Sequence, residues 1–181
     1  MTKSLHIKAE NELHYLTFGI IEWIDIFSNR QFRDMVIESL KYCRENKGLQ
    51  LYVFVIMTNH MHLVAKAKED FKLSEIIRDF KKFTSKKIFE SLISSNDPRR
   101  HWIKKLFLEH GEKNKNNKYI QIWQQHNHPI QLFSNKVIDQ KIDYIHNNPV
   151  KAGFVQNPED YLYSSARNYA MMETVMEIDL I

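Results

Sequence analysis

The chain is poor in the residues that crosslink, break or loosen a backbone, with one cysteine, four prolines and four glycines in 181 residues. A single cysteine, Cys43, excludes an internal disulfide, and its place in a helical pattern indicates a small buried side chain in a reducing compartment. With so few glycines, no glycine-rich phosphate loop and no internal repeat is visible. These absences argue against disulfide-stapled modules, P-loop nucleotide binding and repeat architectures.

Long hydrophobic runs are also missing. No stretch approaches the roughly 18 to 20 apolar residues of a membrane span, and the first residues lack the apolar core of a signal peptide. We therefore expect no membrane partner and a cytoplasmic location. The 43% hydrophobic content is enough for one sizeable core, so we predict one domain over residues 1–181, with a tail from about 154 to 181 that shows no recognisable chemistry.

Positive charge is concentrated in one part of the chain. The net charge is +4, but thirteen Lys or Arg stand against six Asp or Glu between Phe71 and Lys118. Such a region favours phosphate backbones, because neutralising them releases counterions. A solvated, lysine-rich helix and loop is the plainer alternative.

Hydrophobic spacing predicts the order β-α-β-β-α. The predicted elements are a strand over His14–Trp23, a helix capped by Ser28 or Asn29 and ending near Asn46, strands over Leu51–Met57 and His60–Ala67 joined by a Thr58-Asn59 turn, and a helix over Lys72–Leu92. This order favours an α+β, ferredoxin-like antiparallel sheet with helices packed on one face. The fourth strand of that fold is not evident, since Tyr119–Trp123 and Pro129–Phe133 are only short extended pieces.

The region between about residues 94 and 118 is predicted to be a flexible basic loop. The run SSNDPRR contains a helix breaker, and GEKNKNNK is polar throughout. A further helix, capped by Ser134, is expected to run toward Asn148 and stop before Pro149.

Two histidines stand at the start of the third predicted strand, in His60-Met61-His62. Side chains alternate faces along a strand, so both imidazoles point the same way and could hold one divalent ion. Imidazole suits Mn, Zn, Ni or Co, and Mg when oxygen ligands complete the shell. Local hydrogen bonding near a turn is the alternative, and a third ligand would decide between them.

Two longer sequence motifs bear on the choice between a metal site and local hydrogen bonding. The run VIMTNHMHL over Val55–Leu63 is followed late in the chain by YIHNNPVKAG over Tyr144–Gly153, with Trp123-Gln124 and Tyr163–Ala166 in support. In these segments the chain resembles the REP-associated tyrosine transposases, members of the single-tyrosine HUH transposase superfamily. The resemblance spans most of residues 14–170. Thr58 departs from it, because the family often has proline there, and the 94–118 region is long for the family.

The resemblance implies a catalytic site. His60 and His62 would bind a divalent metal ion, Mg or Mn, Tyr144 would be the nucleophile, and Asn148 would complete the metal site. The spacing of Tyr144 and Asn148 is compatible with one helix face, and a carboxamide oxygen is a hard ligand. Asn147 is the alternative ligand, because a residue before proline is biased away from helical geometry. Spacing alone leaves any of the eight tyrosines open as nucleophile, including Tyr161, Tyr163 and Tyr169.

The resemblance also implies a function, a metal-dependent single-stranded DNA transposase and endonuclease. It would cleave and rejoin DNA through a 5′-phosphotyrosine intermediate, with hairpin-forming or palindromic DNA as partner, acting as a monomer or a homodimer.

Basic residues suited to the DNA backbone are Arg78, Lys81, Lys82, Lys86, Lys87, Arg99 and Arg100. Trp102 and Phe107 could stack unpaired bases or pack a small apolar patch.

Two other functions remain open. In the first, His126 and His128 join His60 and His62 in a four-histidine zinc site of a hydrolase or structural metalloprotein. In the second, a domesticated relative binds single-stranded nucleic acid without cutting it.

Overall fold

The computed structural model describes residue 7 and residues 9–114 and 119–181. The helices and strands are β1 (His14–Gly19), α1 (Arg30–Asn46), β2 (Leu49–Ile56), β3 (His60–Ala67), α2 (Leu73–Ser94), α3 (Arg100–Glu112), β4 (Ile130–Gln131), α4 (Asn135–His146), α5 (Asn148–Lys151) and α6 (Ala166–Tyr169). None of the helices in the described part of the chain is long and apolar enough to cross a membrane.

The four strands form one antiparallel sheet in the order β2-β3-β1-β4. This order is the ferredoxin-like one, and it confirms the predicted fold class. The fourth strand is only two residues long and lies inside the Pro129–Phe133 piece, which is too short for periodicity to identify. The outer edge of β2 is paired with the backbone of residues 163–165, so this edge is covered.

Alternation along β1 and β3 separates two faces of the sheet. Phe18 pairs with Met61 on one face, and Thr17 pairs with His62 on the other. Helices α1 and α2 pack on the first face, where the ring of Phe18 lies 6.3 Å from that of Phe80. Helix α4 covers the second face. We call the first the core face and the second the histidine face.

Local signals place α1 and the β2–β3 turn where the sequence predicted them. Asn29 caps α1, its Oδ1 accepting a hydrogen bond from the backbone N of Gln31 at 3.0 Å. After the helix, Gly48 adopts a φ of +72°, which glycine reaches without steric cost. The Thr58-Asn59 turn is closed by a hydrogen bond from Met57 N to His60 O of 2.8 Å.

The prediction of a loop over residues 94–118 is wrong for residues 100–112, which form α3. Only Ile103, Phe107 and Gly111 are buried along it, a stripe one residue wide that polar neighbours hide in the sequence. Gly111 is required because a Cβ there would collide with the backbone of Tyr119. Phe107 is fully buried and belongs to the core rather than to a base-stacking surface. Residues 115–118 of the predicted loop lie outside the described residues.

Candidate functional site

The two predicted histidines lie side by side on the histidine face, at the start of β3. Their ring centroids are 4.9 Å apart. His62 is buried and His60 is half-buried. The alternation predicted from the sequence therefore brings both imidazoles to one place.

His62 is held by two hydroxyl groups on the neighbouring strand. Its Nδ1 lies 2.8 Å from the hydroxyl of Tyr15 and 3.0 Å from that of Thr17. Its Nε2 is buried and has no hydrogen-bond partner within the described residues. Buried polar atoms are rarely left without a partner. An imidazole oriented through one nitrogen, with the other free, is the usual state of a metal ligand.

His60 is oriented by its neighbour in the chain. Its Nδ1 lies 2.7 Å from Asn59 Oδ1. An amide oxygen only accepts, so Nδ1 carries the proton and donates it, which leaves the lone pair on Nε2. Both histidines thus have their Nδ1 atoms engaged, and the donor set suits a divalent cation.

Burial keeps the two imidazoles neutral near neutral pH. Burial, with smaller contributions from the positive charges of His60 (when protonated) and Lys141, lowers the pKa of His62 to about 3. Burial also lowers the pKa of His60. A neutral imidazole offers a lone pair to a metal ion, whereas a protonated one offers none.

Tyr144 reaches the same place from α4. Its ring lies 5.5 Å from the ring of His62 and 6.3 Å from that of Tyr15, and the side chain is 40% exposed. The helix is anchored by the fully buried Ile145 and by His146, whose Nε2 lies 2.9 Å from Ser165 Oγ. Residues distant in sequence therefore meet in one chain.

The predicted third ligand lies just past this helix. Asn148 begins α5, and its carbonyl accepts a hydrogen bond from Ala152 N at 3.0 Å. The side-chain Nδ2 of Asn147, the residue after α4, donates to the Asp143 carbonyl at 2.9 Å. The assignment of Asn148 as a metal ligand stays a prediction.

The four-histidine zinc site is wrong. His126 and His128 are exposed, and their rings are 6.2 Å apart. Across residues 9–114 and 119–181, no group of three or more His, Cys, Asp and Glu could hold a metal ion. A cation at the histidine pair would therefore need neutral or substrate oxygens to complete its shell.

Two lysines and one tyrosine at this site were not recognised in the sequence. The Lys141 Nζ lies 4.3 Å from the centroid of the Tyr15 ring and 5.7 Å from that of Tyr144, and the Lys151 Nζ lies 5.6 Å from the Tyr144 ring. Neither lysine has a carboxylate within ion-pair distance in the described part of the chain. Lys141 precedes Tyr144 by three residues, which predicts a shared helix face, whereas the approach of Tyr15 depends on strand pairing.

The basic residues predicted for DNA occupy different surroundings. Arg78 pairs with Asp79 at 3.0 Å, Lys86 with Glu90 at 3.9 Å, and Arg99 with Asp25 at 2.7 Å, while Arg100 donates to the Asp97 carbonyl at 3.5 Å. Lys82 is exposed and the Lys87 Nζ lies 5.8 Å from the Phe83 ring. Those on α2 lie on the core-face side of the sheet, away from Tyr144. Their contact with DNA stays a prediction.

Lys81 differs from the other basic residues of α2. Its ammonium donates to Asn127 Oδ1 at 2.8 Å and to the Gln124 carbonyl. Burial lowers the pKa of Lys81 to about 8. The structure thus gives this side chain a role in holding the segment after α3 against α2.

Three other tyrosines considered as nucleophiles support the fold. The hydroxyl of Tyr161 donates to the Ile56 carbonyl at 2.9 Å, that of Tyr163 to Asp34 at 2.6 Å, and that of Tyr169 to the Tyr52 carbonyl at 3.4 Å.

Comparison with known proteins bears on the fold and the family of this chain. A structure of a REP-associated tyrosine transposase bound to a REP hairpin is similar in fold, with 19% identity, a TM-score of 0.64, and coverage of 100% of this chain and 94% of that chain. A candidate transposase from Deinococcus radiodurans matches at 15% identity and a TM-score of 0.46, covering 81% and 97% of the two chains. No curated protein matches the sequence. The family described as IS200-like transposases matches residues 23–148, which include the histidine pair and Tyr144. The chain belongs to the IS200-like transposase family.

Proposed function

We propose that this transposase cuts and rejoins single-stranded DNA with Tyr144 as its nucleophile, beside a divalent ion held by His60 and His62. One observation carries the proposal. The Tyr144 ring lies 5.5 Å from His62, a buried imidazole whose Nε2 has no hydrogen-bond partner among the described residues. The packing of a core does not require one place to hold a phenol, an imidazole with an unpartnered Nε2 and two lysines that lack a carboxylate partner among the described residues.

In the proposed reaction the Tyr144 oxygen attacks the phosphorus of a DNA phosphodiester. A bond forms between that oxygen and phosphorus, and the bond to the 3′ oxygen breaks. The phenol proton is released, and the departing 3′ oxygen takes up a proton to become a hydroxyl. The 5′ phosphate stays on Tyr144 until another 3′ hydroxyl reverses the step, so bond energy is conserved without ATP.

The histidines and Asn148 would hold the cation. Their donor set of two neutral imidazoles and one carboxamide oxygen suits Mg or Mn when phosphate or water oxygens complete the shell. When bound, the cation supplies Lewis acidity toward a phosphate oxygen. Tyr15 and Thr17 orient His62, and Asn59 orients His60.

Lys141 and Lys151 supply the remaining charge. Both ammonium groups lie near the Tyr144 ring and have no carboxylate partner in the described part of the chain, so their charge is available to a phosphate. The fold relative is bound to a REP hairpin. We infer that this chain also takes a single-stranded, hairpin-forming DNA.

Tyr15 is the competing nucleophile at the same site. It is 6% exposed, and its hydroxyl is engaged with the Nδ1 of His62 at 2.8 Å. Burial raises the pKa of Tyr15 to about 12, with the nearby Tyr144 adding to the effect. Tyr144 is 40% exposed and so open to a DNA strand, which favours it over Tyr15.

The test is formation of a covalent adduct. The protein is incubated with labelled hairpin DNA and Mn or Mg, then denatured, and adduct is expected for the native sequence and for Tyr15→Phe. Tyr144→Phe should give none while keeping its circular dichroism and melting temperature. Binding without an adduct in the native protein would overturn the proposal in favour of a binding protein. An adduct retained in Tyr144→Phe would assign the nucleophile elsewhere.

Mixing two inactive variants tests for a homodimer. If one chain supplies both halves of the site, His62→Ala and Tyr144→Phe remain inactive together. Recovery of adduct in the mixture would show that Tyr144 serves the histidines of a partner subunit.

A further inference from the structure

The turn after β1 has an unusual backbone. The sequence predicted a strand running to Trp23, but β1 ends at Gly19, and Glu22 and Trp23 adopt φ values of 50° and 52°. The left-handed region is costly for residues with a Cβ, and more so for bulky ones. Two such residues in succession, neither of them glycine, persist only where the surroundings hold them, and such positions cluster at functional sites.

The strained turn places an indole beside the histidine pair. Trp23 is 55% exposed, and its ring lies 6.0 Å from that of His60. Asn59 connects the two, because its Nδ2 donates to the Trp23 carbonyl at 3.2 Å while its Oδ1 accepts from His60 Nδ1 at 2.7 Å. The amide that orients His60 therefore also fixes the backbone of Trp23.

Helix α3 holds the same turn from the other side. His110, near its end, lies 3.2 Å from Glu22, and Arg99, just before its start, lies 2.7 Å from Asp25. The two contacts flank Trp23 in the sequence. Single exposed contacts of this kind contribute little, but here they join both ends of one helix to residues 22–25, which include Trp23. Helix α3 thus supports the turn that carries Trp23 at the candidate site.

We propose that Trp23 is a platform on which a base next to the cleaved phosphate stacks. The proposal rests on the proposed function and names the part of the substrate that this residue contacts. An exposed indole presents a π-face to any base, and such stacking tolerates sequence variation. Its edge contact with His60 puts the platform beside the phosphate that Tyr144 attacks. Trp23 is a positioning residue and takes no part in bond breaking.

The experiment measures dissociation constants for labelled hairpin DNA by fluorescence anisotropy. Trp23→Ala is expected to weaken binding about 5-fold to about 150-fold, the range for loss of one stacked base. Trp23→Phe keeps a ring and should recover part of the loss. Trp102→Ala is the matched control, because Trp102 is also exposed, at 51%, but lies on α3. Equal weakening in Trp23→Ala and Trp102→Ala would overturn the proposal.

Abasic substrates separate stacking from a structural effect. Hairpins lacking one base at successive positions around the cleavage site are compared with the native protein and with Trp23→Ala. At the stacked position the two losses should not add, because removing either partner removes the same contact. Additive losses at every position would refute the platform, whatever the variant does to affinity.

A glycine variant separates stability from binding. Trp23→Gly is expected to melt at a higher temperature than Trp23→Ala, because glycine adopts positive φ without strain, and to bind DNA as weakly. Recovery of affinity in Trp23→Gly would overturn the proposal. The two proposals fail differently, since native protein that binds DNA without forming an adduct contradicts the nucleophile alone, and intact binding in Trp23→Ala contradicts the platform alone.

Discussion

The two faces of the sheet are built from alternate residues of the same strands, yet they have different chemistry. On the core face, Phe18 and Met61 pack among the side chains of α1 and α2 and are fully buried. On the histidine face, Thr17 and His62 are paired at the next register position and lie beneath α4. His62 is nearly as buried as Phe18 and Met61, but the core face meets apolar partners, whereas the histidine face leaves an imidazole nitrogen without a partner in the described part of the chain.

This difference between the two faces shows that the groups on the histidine face are not there for stability alone. The buried Nε2 of His62, which has no hydrogen-bond partner among the described residues, costs free energy that an apolar side chain would not. The core face has the composition expected of packing. In the proposed function, the groups on the histidine face gain their partners from a cation and a phosphate.

The largest difference in stability and in adduct formation is expected between substitutions at two neighbouring residues of β3, Leu63 and His62. Leu63→Ala should lower the free energy of unfolding by about 2–5 kcal/mol, because it leaves a cavity on the core face, and should keep adduct formation per folded molecule. His62→Ala should abolish metal binding and adduct formation with a smaller loss of stability. Urea denaturation and the adduct assay measure both. If His62→Ala retained its metal affinity, His62 would not be a metal ligand and the functional contrast between the two faces would be lost.

Low pH is expected to lower the free energy of unfolding, because it protonates His146 on the histidine-face side of the sheet. Burial lowers the pKa of His146 to about 4 from the ordinary value of 6.5, so the folded state binds fewer protons than the unfolded chain. Stability is then greatest above the ordinary pKa and falls as the pH drops toward 4, by up to about 3 kcal/mol. Urea denaturation across this range measures the fall.

The control for acid is His146→Gln, which keeps a polar partner for Ser165 but does not titrate. Its stability should vary less between pH 6.5 and 4 than that of the native protein. Equal slopes in the two proteins would show that other groups account for the acid sensitivity.

A smaller effect on adduct formation is expected when the ammonium charge of Lys141 is removed. Lys141→Met keeps most of the side-chain length but removes the ammonium, and should slow adduct formation about 10-fold to about 150-fold, the range for a hydrogen bond to a charged group. Lys136→Met is the matched control, an exposed lysine on the same helix. If both variants slow the reaction equally, the effect is one of overall charge.

The smallest effect is expected where a hydroxyl orients His62. Tyr15→Phe removes one of two contacts to Nδ1 and should weaken Mn²⁺ binding about 10-fold, with Thr17→Val adding to the loss. Calorimetric titration measures the affinity. Tyr161→Phe, whose hydroxyl instead bonds the Ile56 carbonyl, should leave it unchanged. Weaker binding in that control would point to a general loss of packing.

Prediction from sequence succeeded where contacts are local. The shared face of His60 and His62 follows from the two-residue period of a strand, and the cap at Asn29 from its side-chain chemistry. It failed at α3, where three buried residues among polar neighbours gave too weak a periodicity, and at β4, which is recognised only by its pairing with β1.

The sequence by itself determined the order of the elements from β1 to α2, the placement of two imidazoles on one strand face, and the family motif around Tyr144. Only the tertiary structure decided that Tyr15 and Thr17 hold His62, that Lys141 lies between two aromatic rings, and that Trp23 stands beside His60. The reason is physical. Short-range periodicity determines where a side chain points along its own element, whereas the partner that it meets depends on strand register and helix packing across the whole chain.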